Sequence, residues 1–277
     1  MIIVLKLTFF DVNLGSSTLI ETSNMNMLFD LGIDEKTGVN PLFSFKGDLN
    51  YLIISHPHKD HISGLSRIDC KTPEVFGRNN SIPLDLIQKQ IKTAQTYDDK
   101  ILYEKYLELN KNYNYPVQAK NDPCNPDVNG GLFFKHYLPL RSDITDLNYY
   151  SISTFIEYEG AKILLMGDNT KTNIEELLDN HDFLENTQSI DLLLAPHHGR
   201  FSCYKQELMD HLKPKITIIS DKSNQDEVTA SNKYSSNSCG VWVLKNGNHV
   251  KRRCLTTRND GNICALINNG RLELSCE

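Results

Sequence analysis

Ten short runs of apolar and β-branched residues recur along the chain, and several of them stop at a polar or ionisable side chain. They occupy residues 2–10, 18–20, 27–29, 51–54, 152–158, 162–166, 190–195, 216–219, 241–244 and 263–267. Each has the length and residue types of a buried strand rather than a helix. Asp30 follows Met27-Leu28-Phe29, Ser55-His56 follows Leu52-Ile53-Ile54, Asp168 follows Leu164-Leu165-Met166-Gly167, and His197-His198 follows Leu192-Leu193-Leu194-Ala195-Pro196. Proteins that alternate strands and helices bind ligands beyond the carboxyl ends of their strands, so the recurrence predicts an α/β fold with its site along one rim.

At 277 residues and 39% hydrophobic composition, the chain can bury an ample core. We read residues 1–277 as one domain interrupted by an insertion at 78–147. There the character shifts to a polar helical stretch, residues 84–113, followed by a loop rich in Pro, Asn and Gly, residues 115–131. A helical pair packed outside the sheet and a lid over the site both fit such a segment. No apolar run approaches the roughly 20 residues of a membrane helix. The apolar start, residues 1–10, lacks a basic leader region and reads as a first strand. The seven cysteines (Cys70, Cys124, Cys203, Cys239, Cys254, Cys264 and Cys276) are odd in number and contain no C-x-x-C pair, which suits reduced thiols in a cytoplasmic protein. A formal charge of −6 excludes a global basic footprint for nucleic acid and leaves room only for a local basic groove.

The segment His56-Pro57-His58-Lys59-Asp60-His61 packs three imidazoles and a carboxylate into six positions directly after a strand. Imidazole with carboxylate suits zinc, and also manganese or iron. On extended backbone His56 and His58 point the same way, and a helix starting after them would swing Asp60 and His61 towards a neighbouring position. A single histidine at a strand end is ordinarily a hydrogen-bonded structural residue, whereas four ligand-type groups in six positions point to metal. Asp168 fits a ligand and also a cap for a following helix. If His197 and His198 alternate, only one faces the metal and the other contacts substrate or donates a proton. The working assignment makes His197 the ligand and His198 the proton donor, although alternation does not order the two. His136 is a further imidazole in reach by sequence, with a structural role favoured over ligation.

These segments, in this order, resemble the metallo-β-lactamase superfamily. His56-x-His58-x-Asp60-His61 resembles its signature motif, and Leu165-Met166-Gly167-Asp168 resembles the segment whose aspartate bridges two metals. Phe10-Asp11-Val12-Asn13-Leu14-Gly15 with Leu28-Phe29-Asp30-Leu31-Gly32 is similar to its two opening strands. Leu194-Ala195-Pro196-His197-His198-Gly199 and Thr256-Thr257-Arg258-Asn259-Asp260-Gly261-Asn262-Ile263 are similar to segments of the branch holding the hydrolase domain of the competence (DNA-uptake) protein. The resemblance implies a four-layer αββα sandwich and one or two zinc ions, with manganese an alternative. Asn148, in Leu147-Asn148-Tyr149-Tyr150, stands where many members supply a histidine, so it is expected at the substrate or at the thinned first metal position.

Ions held by His56, His58, Asp60, His61, Asp168 and His197 would lower the pKa of a bound water from 15.7 to about 7. Asp60 is expected to ligate an ion or to orient that water and take its proton. The competence-like segments favour a phosphodiester in a nucleotide or nucleic acid as substrate. Arg200, and beyond it Lys251, Arg252, Arg253 and Arg258, suit phosphate oxygens, although a solvated charged face explains them equally. An ester, thioester or lactone hydrolase is a rival reading, and a metal-binding module without turnover is another. Self-association into a homo-oligomer stays open.

Overall fold

A computed structural model describes residues 4–13, 15–34, 36–221 and 229–276. Its first strands are β1 (Leu5–Phe9), β2 (Thr18–Glu21), β3 (Asn26–Phe29), β4 (Tyr51–Ile53), β5 (Val75–Gly77), β6 (Phe133–Tyr137), β7 (Ser153–Tyr158) and β8 (Ala161–Met166). They continue with β9 (Leu192–Leu194), β10 (Ile216–Ile219), β11 (Val241–Lys245), β12 (Asn248–Arg252), β13 (Cys254–Thr256), β14 (Ile263–Asn268) and β15 (Arg271–Cys276). Nine form a sheet in the order β12-β11-β15-β14-β1-β2-β3-β4-β5, and six form a second in the order β13-β10-β9-β8-β7-β6.

Three apolar layers separate four structural layers. Between the sheets, Leu7, Ile20, Met27, Phe29 and Ile53 meet Ile156, Ile163, Leu165, Leu192 and Ile218. The alternate residues Leu19, Leu28 and Leu52 face the opposite way, as period-2 geometry requires of strands buried on both sides. They are covered by α1 (Lys59–Ile62), α2 (Leu84–Thr93) and α3 (Tyr97–Asn112), with Leu86, Leu102, Tyr103, Tyr106 and Leu109 turned inward. After the short α4 (Pro126–Asn129), the outer face of the second sheet is covered by α5 (Lys171–Leu178), α6 (His181–Thr187), α7 (Gln206–Leu212) and α8 (Ser231–Ser236). The short α9 (Thr257–Asp260) joins β13 to β14. This is the expected αββα arrangement.

The polar stretch read as one helical region breaks into two helices at Ala94, where ψ turns to 130°. Thr96 starts the second by accepting a hydrogen bond from the Asp99 N–H, and Asp98 and Asp99 complement the amino-terminal dipole. Both helices lie over the first sheet. The end of the 78–147 segment supplies β6, which pairs antiparallel with β7 and forms an edge of the second sheet. No helix among the described residues is long and apolar enough to cross a membrane.

Strands β3 and β4 are parallel, as are β8, β9, β10 and β13. Asp30, Ser55-His56, Asp168, His197-His198 and Ser220 each follow the carboxyl end of one of these strands. The two sheets therefore present their ligand-type residues to one rim.

Candidate metal centre

Beyond β4 the backbone stays extended through His58, at φ −76° and ψ 151°, before α1 begins. This brings His56 Nε2 to 3.0 Å from His58 Nδ1. The single turn of α1 then carries Asp60 and His61 to the other side. That turn sits tightly against the opening loops: Ser16 N–H donates to the Asp60 carbonyl and Leu31 N–H to the His61 carbonyl. A Cβ at Gly15 or Gly32 would lie 2.6 Å from the Asp60 carbonyl oxygen, so only glycine permits this approach. From the second sheet, Asp168 enters with its N–H donated to Ser151 Oγ at 2.9 Å.

Asp60, His61, Asp168 and His198 each offer one donor atom to a group whose members all lie within 4.8 Å. His61 Nε2 is 3.2 Å from Asp168 Oδ1 and 3.8 Å from Asp60 Oδ2. His198 Nε2 is 3.2 Å from Asp60 Oδ2 and 3.5 Å from Asp168 Oδ1. Four donors arranged tetrahedrally at zinc-ligand distances of about 2.0–2.2 Å lie roughly 3.3–3.6 Å apart, so the cluster has the right size for such an ion. Both Nε2 atoms are buried with no hydrogen-bond partner. Such an orphaned group costs on the order of 1–3 kcal/mol, a cost a cation would remove. The donor set fits a divalent metal.

Asp168 faces two ways. While Oδ1 addresses His61 and His198, Oδ2 lies 3.9 Å from His56 Nε2 and 3.5 Å from His197 Nε2. His56 Nε2, itself 3.0 Å from His58 Nδ1, thus approaches the other oxygen of Asp168. Asn148 lies on the turn before β7, and its Oδ1 is buried without a partner.

Burial opposes charge on His61, but the carboxylates of Asp168, Asp30 and Asp60 outweigh it and hold this imidazole well above its ordinary value. His198 is raised against burial by Asp168 and Asp60. Asp60 and Asp168 resist burial in turn: His61 and His198 keep Asp60 low, and His198 and His61 keep Asp168 well below the carboxylate range. His56, fully enclosed, goes the other way, lowered by burial and by His61. The two carboxylates are thus balanced by protons on two imidazoles, the protons a bound metal displaces.

The ring orientations are fixed from behind. Asp30 Oδ2 accepts from His61 Nδ1 at 2.7 Å, and Asp30 also accepts the Ser55 N–H at 2.7 Å. His198 Nδ1 donates to the Ser220 carbonyl at 2.9 Å. Each bond leaves Nε2 as the nitrogen facing the cluster, the usual arrangement behind metal-binding histidines. Asn79 ties the rim together by donating to the Ser55 and Tyr150 carbonyls. Sequence reading missed these supports. The position of Asp30 just past Met27-Leu28-Phe29 was their one visible signal.

The last two histidines go separate ways. His198 joins the four-atom group; His197 does not. Strand alternation does not apply because both residues take left-handed backbone, with φ 50° and 52°, inside a turn that closes on Gly199 at φ 66°. His197 instead lies 3.1 Å from Cys203 Sγ through Nδ1, and its Nε2 accepts from Arg200 Nη1 at 3.0 Å. Burial and the Arg200 charge lower its pKa against the pull of Asp168, so it stays a neutral acceptor. His136 lies elsewhere, bonded to Thr154 and facing Tyr51 at the opposite end of β4.

Solved structures of low sequence identity align with the chain. The β-hydroxylase CmlA, solved as a variant, aligns with a TM-score of 0.50 at 11% identity over 96% of this chain and 54% of that one. Igni18, a metallo hydrolase from the archaeon Ignicoccus hospitalis, aligns at 0.45 and 14% identity over 84% and 89% of the two chains. The short form of human tRNase Z aligns at 0.41 and 16% identity over 81% and 95%. No curated protein sequence matches the chain. The model of the metallo-β-lactamase superfamily matches residues 10–218, three quarters of the length and every residue of the donor cluster, and the chain belongs to that superfamily.

Proposed function

We propose that the protein is a metal-dependent hydrolase that cleaves phosphodiesters in a nucleotide or nucleic acid. The observation that carries the metal-dependent part is the pair of buried, partnerless Nε2 atoms of His61 and His198 within a cluster of metal-ligand size. Asp60, His61, Asp168 and His198 would hold one ion, and His56 and His58, with Asn148 in place of a third imidazole, would offer donors to a second. When bound, zinc or manganese there supplies Lewis acidity and a water of lowered pKa.

The chain's own residues divide the remaining work. Asp60 is the most open member of the cluster, with 26% of its side chain exposed, and its carboxylate can orient an attacking water by accepting a hydrogen bond from it. Arg200 supports the phosphodiester in preference to a neutral ester. Its guanidinium is held beside the cluster by His197, and its buried Nε has no partner. A planar cation with unused donors matches the oxygens of a phosphoryl group, and holding it in place beforehand reduces the entropy lost on clamping.

The test is elemental analysis of the purified protein together with turnover of bis-p-nitrophenyl phosphate and p-nitrophenyl esters under added zinc or manganese. One or two ions per chain and selective phosphodiester cleavage are expected. Ester turnover with an inert phosphodiester would overturn the substrate assignment. Asn148 in place of an imidazole favours a second reading, a metal-binding module without turnover, and retained metal with no hydrolysis of either substrate would establish it.

A further inference from the structure

We propose that the groove between α8 and the β11–β12 hairpin binds single-stranded nucleic acid, with the phosphate backbone on Lys251 and Arg253 and a base stacked on Trp242. The groove has a volume of ≈ 480 Å³ and is lined by Ser231, Asn232, Lys251, Arg252, Arg253 and Asn259 among others, with no carboxylate in its wall. The acid nearest in sequence, Asp260, is buried and already engaged by Lys245 Nζ at 2.7 Å and by Arg252 at 3.1 Å. Among the described residues, neither Lys251 nor Arg253 has an ion-pair partner. They stand two residues apart, and the Cβ position of Gly240 lies 3.0 Å from Arg253 Cγ and 3.4 Å from Lys251 Cε, so both side chains pass over the same residue.

A basic run alone is an ordinary solvated surface. Here an exposed aromatic ring stands beside it. Trp242, the sole tryptophan of the chain, is 64% exposed and sits directly across the ladder from Lys251, hence on the same face of the hairpin. Leu244 continues that face, 39% exposed. Cations that follow a backbone beside an exposed ring that stacks a base are the two components of single-strand recognition. A duplex hides its base faces, so the ring favours a single strand.

The groove also connects to the metal centre through the backbone. Ser231 follows Thr229 and Ala230; Thr229 bridges to Arg200, and the Ala230 N–H donates to the Gly199 carbonyl at 2.7 Å. On the other wall, Thr257 Oγ1 accepts the Asp221 N–H at 3.0 Å, next to the Ser220 carbonyl that orients His198. A strand held on Lys251 and Arg253 is thereby led towards Arg200 and Asp168. This use of the groove rests on the phosphodiesterase reading, whereas the binding itself does not.

Because Trp242 is the chain's one tryptophan, its fluorescence reports on this site alone. The full chain, stripped of metal, is titrated with an oligothymidylate at several salt concentrations, alongside a matched duplex and inorganic polyphosphate. Saturable quenching by the oligothymidylate is expected, at least tenfold tighter than by either control. Lys251→Glu with Arg253→Glu should weaken binding at least tenfold and reduce the salt slope by about 1.4, as loss of two phosphate contacts to a single strand requires. The same double variant should still hydrolyse bis-p-nitrophenyl phosphate, which also shows that it is folded. Trp242→Leu, read by anisotropy of a labelled oligothymidylate, should weaken binding several-fold. Asp168→Asn should bind as the parent does. Absence of quenching, unchanged affinity on charge reversal, or equal binding of duplex or polyphosphate would overturn the proposal. Tight single-strand binding by a protein inert towards phosphodiesters would instead refute the hydrolase reading and leave the groove standing.

Discussion

Strand β4 has histidine at both ends, a single partly buried ring at its start and a cluster past its end, and the two differ in kind. At its start, Tyr51 Oη lies 3.3 Å from His136 Nε2, and His136 Nδ1 is bonded to Thr154 Oγ1 at 3.0 Å. Past its end stand His56, His58 and His61, facing Asp168 and His198. Depth separates them only in degree, His136 being partly buried and His56 and His61 fully so. What separates them is the company each ring keeps. No carboxylate offsets burial at His136, whose pKa is pushed down to about 4, so it stays neutral with both nitrogens satisfied. At the other end three carboxylates hold His61 charged, and its Nε2 is left without a partner. A histidine poised for metal is recognised by a buried nitrogen without a hydrogen-bond partner among several carboxylates, more than by depth.

The sharpest way to break this contrast is Asp168→Asn. It removes the charge that both donor groups share while keeping the side-chain shape. Hydrolysis should fall by about 10³-fold, the scale of losing a principal electrostatic group, and bound metal should drop with it. Preserved turnover with full metal content would erase the distinction between the two ends of β4. A smaller loss is expected one step back, at Asp30→Asn. The asparagine can still accept from Ser55 but no longer polarises His61, and metal affinity should weaken by roughly 10–100-fold in a chelator competition. An unchanged affinity would show that His61 needs no carboxylate behind it.

The difference between the two ends was only partly legible in sequence. His56-x-His58-x-Asp60-His61 stood out because ligand spacing is local: six consecutive residues, one strand end and one helical turn. Asp168 and the His197-His198 pair were visible for the same reason, each just beyond an apolar run. The strands carrying them were legible through their β-branched, doubly buried composition, whereas β12 and β15, more exposed, were not. The order of His197 and His198 was hidden because it depends on two residues adopting left-handed backbone against their usual preference. Asp30 and Ser220 were hidden as supports because their partners are 31 and 22 residues away, and only the folded sheets bring them together. The break between α2 and α3 carried no glycine or proline to announce it.

At the quiet end of β4, His136→Phe should leave hydrolysis within twofold and act on stability alone. Its pH signature follows from the sign of the shift. The folded pKa of about 4 lies below the ordinary 6.5, so between those values the unfolded chain binds a proton that the folded chain refuses. Stability contributed by the neutral ring is therefore present above pH 6.5, declines as pH falls towards 4, and then levels off. The decline amounts to about 3 kcal/mol. The difference between parent and His136→Phe in denaturant melts across that window measures it, and a flat difference would show that the ring is not held neutral.

The smallest effect belongs to Lys59, the exposed residue between His58 and Asp60. Its Nζ meets Asp99 Oδ1 at 2.5 Å, linking the signature turn to the first turn of α3, and the pairing lowers the Asp99 pKa. The contact looks like a brace between insertion and site. The Lys59 side chain, however, is 62% exposed, and an ion pair open to water on one side is worth about 0.5 kcal/mol. The α3 helix is held instead by Tyr103, Tyr106 and Leu109 packed over the first sheet. Lys59→Ala should accordingly shift the unfolding midpoint by no more than a degree or two and leave the KM for bis-p-nitrophenyl phosphate unchanged. A several-fold rise in KM would mean that this pair, rather than the apolar face of α3, sets the position of Asp60 and His61.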